Sequence, residues 1–258
     1  MSDHLVFDTK EGVGYLVINR EERRNAISQE MIASFHEYLD KMKDDKSVRA
    51  VCITAAGNRI FCSGADLGAT LVKKDGAALE GARNYASLLK KMTEYEKPLV
   101  AKVNGPCLAG GLGLILACDL VIARDDAYFC TPEVKVGIFP MMVGALLLRH
   151  IGLKRTMDMV LTARKVTAAE AVAIGLVTRA VPPESLDHEV AELLKALAQR
   201  SPIGIKIGKR AFRETWDMPF EQAVDHLCNA LGEVISTQDA AEGMRAFLEK
   251  RKPVFKGR

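Results

Sequence analysis

The sequence is short of the features that would make its chemistry obvious. Its six cysteines, Cys52, Cys62, Cys107, Cys118, Cys130 and Cys228, form no C-x-x-C pair, and most lie in apolar runs. They read as free buried thiols of a reducing compartment rather than a disulfide framework. The five histidines, His4, His36, His150, His188 and His226, are scattered without ligand spacing, so no metal site is expected. No G-x-x-x-x-G-K-[ST] occurs, and no G-x-G-x-x-G falls in a strand–helix frame, which removes the common phosphate loops. The longest apolar run, from Leu108, meets Asp119 too early to span a bilayer. Met1-Ser2-Asp3-His4 has neither a basic region nor a long apolar core, so no signal peptide is expected and the cytoplasm is the natural location. Net charge is only +3. That is too mild for a nucleic-acid surface, although it suits an anionic small molecule.

What remains is an ordinary globular composition. With 258 residues, 48% hydrophobic and 27% charged, the chain can form one large domain, or one domain with an appendage. The first core strand is expected at Val13–Asn19, followed by a helix capped by Ser28 with Met31, Phe35, Leu39 and Met42 at helical spacing. Further strands are expected at 48–54, 99–103, 119–123 and 176–181, with helices between them. Thr167 and Glu170 suggest a capping box, as do Asp239 and Glu242. Residues Leu71 to Gly81 read as a mobile loop or frayed helix, and from Ser185 onward only helices are expected. The division is therefore 1–183, strands interleaved with helices, and 184–258, all helical. The apolar stripe Phe220, Val224, Leu227, Leu231 and Val234 needs a surface to bury against, which points to an oligomer.

Two stretches carry the chemistry. Asn104-Gly105-Pro106-Cys107-Leu108-Ala109-Gly110-Gly111 follows an apolar β-branched strand and opens a helix, where backbone N–H groups lack intrahelical partners. Phe61-Cys62-Ser63-Gly64-Ala65-Asp66 is a second glycine corner after a strand-like run. Two such corners can aim backbone N–H groups into one crevice and stabilise charge developing on a carbonyl oxygen. Backbone donors need no particular side chain, in keeping with small residues and no Ser-His-Asp pattern.

Taken in order, these two stretches, with Ala117-Cys118-Asp119, Arg24-Asn25-Ala26, Glu170-Ala171, Gly175-Leu176-Val177 and the ending from Glu242 through Pro253, resemble the crotonase (enoyl-CoA hydratase/isomerase) superfamily over nearly the whole chain. The resemblance implies an α/β fold, a spiral of ββα units with a C-terminal helical trimerisation region, often assembled as a dimer of trimers. It implies an acyl-CoA thioester substrate and no separate cofactor, coenzyme A being part of the substrate. By position, the N–H groups of Ala65 and Gly110 would hold the thioester oxygen as it becomes an enolate. The Ser63 carbonyl would lie near the adenine. Arg24, beside Ala26, would reach the CoA phosphates, and Phe247 and Lys250 would contact CoA across a subunit boundary. Asp66 would orient the oxyanion loop; Asp119 is read as structural.

Hydratases of this family carry two glutamates. Here the first position is Gly113 and the second is Glu133, in Thr131-Pro132-Glu133-Val134. One carboxylate suffices to take a proton from one carbon and return it to another, the pattern of the single-glutamate Δ3,Δ2-enoyl-CoA isomerases. A carboxylate in an apolar crevice has a raised pKa, which suits a reversible base. The dienoyl-CoA isomerase pattern expects carboxylates where Gly113 and Met141 stand; Met141 and Met142 instead suggest an apolar acyl pocket. Hydration by Glu133 alone is the alternative, and a non-catalytic CoA- or RNA-binding relative is the alternative of another class.

Overall fold

The computed structural model describes residues 3–66 and 77–258. The expected loop at 71–81 lies outside the described residues as far as 76, and from Ala77 the chain is helical. The main sheet contains β1 (Leu5–Lys10), β2 (Val13–Ile18), β3 (Ala50–Ala55), β4 (Leu99–Val103), β6 (Leu120–Arg124) and β9 (Arg179–Val181), hydrogen-bonded in that order. Only β1 pairs antiparallel, to β2; the other neighbours are parallel. A second sheet contains β5 (Cys107–Leu108), β7 (Tyr128–Cys130) and β8 (Val166–Thr167).

The helices are α1 (Gln29–Asp44), α2 (Ala77–Thr93), α3 (Gly110–Leu116), α4 (Met141–Thr162), α5 (Ala168–Ala173), α6 (Leu186–Ala198), α7 (Pro202–Glu214), α8 (Phe220–Ile235) and α9 (Gln238–Leu248). The chain thus winds through both sheets: β4 leads to β5 and α3, then β6 leads to β7 and α4. An isolated bridge between Cys62 and Cys107 lets the segment after β3 join the small sheet in the same way. Each turn ends where a strand of the second layer meets a helix, and Gly110 and Glu133 follow shortly after two of those strands.

All six residues of β3 are buried because both faces of the parallel sheet are covered. Val51 and Ile53 enter one cluster with Met31, Phe35 and Leu39 of α1. Ala50 and Cys52, on the opposite face, pack with Leu186, Val190 and Leu194 of α6. The first helix of the tail therefore covers the sheet. A separate small cluster, Ile207, Ala211 and Ala230, holds α7 to α8. The predicted stripe on α8 divides: Leu227 and Val234 pack towards that cluster, while Phe220, Val224, Leu231 and also Ile235 stay exposed.

Four local expectations are corrected. A strand, β1, precedes Val13 and pairs at the sheet edge, where its alternating, mostly exposed residues carry little apolar signal. The chain between 61 and 66 makes only bridges, not a strand. Thr167 accepts the Glu170 N–H as a cap, but the Glu170 carboxylate turns to Arg164 instead of closing the box. Helix α9 is capped by Thr237; Asp239 is buried and accepts from Ser201 Oγ and the Lys256 and Gly257 N–H groups, while Glu242 pairs with Arg251. Gly152 breaks α4 in the middle, φ +74° and ψ 168°, as the separation of two helical runs in the sequence suggests.

Ser28 caps α1 by accepting the Met31 N–H at 3.1 Å and also meets His4 Nδ1 at 2.9 Å. Ser28→Ala is expected to lower stability by about 0.5–2 kcal/mol, read as a shift of the urea midpoint at unchanged slope.

Candidate active site

The two glycine corners abut. Gly64 has φ +100°, and a Cβ placed on it would lie 2.5 Å from the Ala109 Cβ and 3.3 Å from the Gly110 nitrogen. Only glycine allows that approach and that φ together. Backbone bonds zip the segments side by side: Phe61 N–H to Pro106 O at 2.9 Å, Leu108 N–H to Cys62 O at 2.8 Å, and Ala109 N–H to Cys130 O at 2.9 Å. Ala109, at the start of α3, is held at φ +50° and ψ −127°, a conformation that alanine rarely adopts. The strain is sustained by these bonds and turns the Gly110 peptide towards the other corner.

The first corner is fixed from the N-terminal side. Ile27 N–H donates to Gly64 O at 2.8 Å and Asp66 N–H donates to Ile27 O at 3.0 Å. This pairing passes over the Ala65 N–H, which has no acceptor among the described residues. A Cβ on Gly110 would lie 3.7 Å from both the Ala65 nitrogen and the Tyr85 phenol oxygen. The Ala65 and Gly110 peptides thus border one small space.

Behind them stands a buried clamp that sequence reasoning missed. Arg20, 7% exposed, donates to Ala26 O at 2.6 Å and to the Asp66 carboxylate at 2.9 Å. Asn25, at φ +53° and fully buried, accepts the Arg20 N–H and donates to Ala56 O and Ile60 O. Ser63 N–H donates to Arg24 O at 3.2 Å, and the Arg24 side chain is exposed. Arg24, Ala26, Ser63, Ala65 and Asp66 are therefore neighbours in one cluster. The signal in the sequence was Arg20-x3-Arg24-Asn25, where only the second arginine drew notice.

Glu133 lies in a 3-10 turn, Pro132–Val136, after β7. Its carbonyl accepts the Ile138 N–H at 3.1 Å, which fixes the turn. Its Oε2 is buried and has no hydrogen-bond partner among the described residues. Buried polar atoms are nearly always paired, and this oxygen shares its unpartnered state among the described residues with Arg20 Nε, Asn104 Oδ1 and Thr156 Oγ1. Burial raises the Glu133 pKa above the usual carboxylate value.

Gly113 is enclosed rather than open. A Cβ there would meet the Tyr85 hydroxyl at 2.1 Å and its Cζ at 3.2 Å. Tyr85, from α2, donates this hydroxyl to the Gly110 carbonyl. Its pKa is raised well above the usual tyrosine value, chiefly by burial, then by Cys62, Cys107 and Glu133. Tyr85 is not among the candidate residues that the sequence offers.

The remaining candidates separate. Met142 packs against the large core cluster, whereas Met141 is 69% exposed. Phe247 and Lys250 are exposed at the end of the chain's last helix, and that helix packs on α7 and α8, so within one copy they stand apart from the crevice. Asp119 is structural: its carboxylate accepts the Leu99 N–H at 2.7 Å and pairs with Lys209. Among the described residues no three His, Cys, Asp or Glu side chains form a metal-ligand set, and no helix is long and apolar enough to cross a membrane.

Comparison with known proteins gives the family and the fold. A sequence profile of the enoyl-CoA hydratase/isomerase family matches residues 8–258. A Thermus thermophilus relative is 39% identical over 249 residues, 95% of this chain and 98% of its own. A crotonyl-CoA hydratase of Syntrophomonas wolfei is 33% identical over 98% of both chains. The crystal structure of an enoyl-CoA hydratase from Bacillus anthracis superposes with a TM-score of 0.95 at 29% identity, over 99% of this chain and all of that one.

Asn25→Ala would strip partners from the Arg20, Ala56 and Ile60 backbone groups and put alanine at a positive φ. Each buried group left unpaired costs about 1–3 kcal/mol. A drop of at least that size in chemical denaturation is expected, larger than for Arg24→Ala, whose side chain is exposed.

Proposed function

The chain belongs to the enoyl-CoA hydratase/isomerase family, and from that premise we propose that it is an acyl-CoA enzyme moving a proton with one glutamate, in the manner of a Δ3,Δ2-enoyl-CoA isomerase. The observation that carries this reading is the pairing of an orphaned, buried Glu133 carboxylate with a crevice whose Gly113 offers no second carboxylate.

In this reaction the thioester oxygen sits between the Ala65 and Gly110 N–H groups. Glu133 takes a proton from the carbon next to the thioester; the electron pair moves onto the oxygen and spreads along the neighbouring double bond as a dienolate. The same carboxyl group returns the proton to the far end of that system, leaving the double bond conjugated. A donor of this kind is typically worth ~2.7–4 kcal/mol of barrier. A positioned base contributes ~10²–10⁴-fold. A raised pKa keeps the carboxylic acid stable long enough to hand the proton back.

Arg24, Ala26, Ser63 and Asp66 are proposed to receive the CoA portion, since they form one cluster at the mouth of the crevice. Met142 and Gly113 line the acyl side, with Met141 at its rim. Phe247 and Lys250 can reach CoA only from a neighbouring copy. The exposed Phe220, Val224, Leu231 and Ile235 on α8 support a homotrimer, or a dimer of trimers, built through residues 184–258, with the site carried by 1–183. A cytoplasmic enzyme without a further cofactor, nucleic-acid partner or membrane attachment completes the reading.

Hydration is the second reading, and the names of the relatives favour it. The two are separated by giving the protein a 3-enoyl-CoA and a 2-enoyl-CoA in heavy-oxygen water. Conjugation of the 3-enoyl substrate without oxygen uptake supports the isomerase; heavy oxygen in the 2-enoyl product supports the hydratase. Turnover of neither, with CoA still raising the melting temperature, would point to a non-catalytic binder. Glu133→Gln is expected to lose ~10²–10⁴-fold in kcat while remaining folded.

Glu133 must be ionised to act as base. Because burial raises its pKa, activity falls as pH drops through that raised value, and the acid limb of kcat/KM lies above the ordinary glutamate value of about 4.3. Leu231→Glu is expected to give smaller particles in sedimentation velocity, with the monomer still folded.

A further inference from the structure

A second polar side chain beside the Gly110 corner is Tyr85. Its oxygen stands where any side chain on residue 113 would begin, 2.1 Å from a Cβ built there, and 3.7 Å from one built on Gly110. Its proton is committed to the Gly110 carbonyl, so the ring cannot swing away without breaking that bond. The ring is 7% exposed.

Hydration and isomerisation differ in what they need at this spot. Hydration adds a water oxygen to the β-carbon and a proton to the α-carbon, so a water must be held beside the substrate and a base must take its proton. Isomerisation moves one proton between carbons and needs no water. We propose that Tyr85 decides between them: its phenol fills the place where a second carboxylate and its water would stand, and so confines Glu133 to proton transfer between carbons. The proposal rests on Glu133 being the base, as above.

Three observations converge on it. The first is steric: Gly113 and the Tyr85 oxygen exclude any larger residue at 113 while Tyr85 is present. The second is chemical: Tyr85 stays neutral across the physiological range, because burial and the Glu133 charge both oppose its ionisation, so it cannot serve as a second base. The third is positional: the hydroxyl is bonded to the residue whose N–H faces Ala65, at the corner where substrate charge would develop. Tyr85 is thus a positioning and specificity-determining residue, without itself moving a proton.

The test is the ratio of two rates in one enzyme: hydration of trans-2-hexenoyl-CoA and isomerisation of trans-3-hexenoyl-CoA, each followed by mass spectrometry in heavy-oxygen water. Tyr85→Ala, and Tyr85→Ala combined with Gly113→Glu, are expected to raise the hydration-to-isomerisation ratio by about tenfold or more, whereas Tyr85→Phe, which keeps the ring, leaves it within about threefold. Should Tyr85→Ala lose its fold by circular dichroism, Tyr85→Gln carries the same test, since it keeps much of the volume and offers an amide to water. A purely structural tyrosine would depress both rates in step. An unchanged ratio in folded, active variants would overturn the role of Tyr85 alone, whereas a parent enzyme that already hydrates as fast as it isomerises would overturn both that role and the isomerase reading. A parent inactive on both substrates would instead overturn the reading of Glu133, and this proposal with it.

Discussion

The structure turns on the contact between Gly64 and Ala109–Gly110. Two separate turns of the chain, about 45 residues apart, meet backbone to backbone with no room for a side chain on Gly64. Everything nearby either enforces this contact or exploits it. The bridge from Cys62 to Cys107 and the bonds flanking it set the register of the two segments. The strained Ala109 peptide is held by Cys130 of the next turn, so three consecutive turns of the winding must form before either corner has its final shape. A conformation costing of order 1–3 kcal/mol persists only when its surroundings over-determine it, and here they come from three different segments of the chain.

The same logic explains the clamp of Arg20 and Asn25. A charged guanidinium is expensive to bury, and here it is compensated by the Asp66 carboxylate and the Ala26 carbonyl. The clamp ties the N-terminal loop to the loop bearing Ala65, which makes the position of one N–H depend on a residue some 45 positions earlier. In the proposed reaction the Ala65 N–H acts by backbone geometry, and its orientation is set by what lies behind it rather than by a side chain.

Much of this was legible in the sequence. The interleaved strands and helices, the Ser28 cap, the break at Gly152 and the two glycine corners were visible because each rests on local chemistry: periodicity, cap residues, φ freedom. Glu133 was visible through the family resemblance, as the second of the two positions where hydratases of the family carry a glutamate. The misses are non-local. Arg20 reads as one more charge before a charged cluster, and only the fold shows that it is buried. Tyr85 sits at an apolar position of a helix 28 residues from Gly113, and nothing in either neighbourhood says that its oxygen fills the space of a side chain there. The unmade return bonds at Glu170 and Glu242 have a similar cause: both carboxylates have an arginine within reach, and a charge-assisted pair outcompetes a bond to a backbone N–H.

A phenol in place of a carboxylate also changes the electrostatics of the proposed reaction. Two unit charges 4 Å apart repel by about 4 kcal/mol at an effective dielectric of 20. A second ionised carboxylate beside the corner would therefore oppose the negative charge building on the thioester oxygen, and would raise the pKa of Glu133 further. A neutral phenol imposes no such repulsion. What it withdraws is a second acceptor for the protons of a water, which hydration requires and carbon-to-carbon transfer does not. The exchange of one group for another thus lowers the barrier to forming the enolate while removing the partner that would trap it with water. In the proposed isomerase, that asymmetry favours moving a double bond over adding to it.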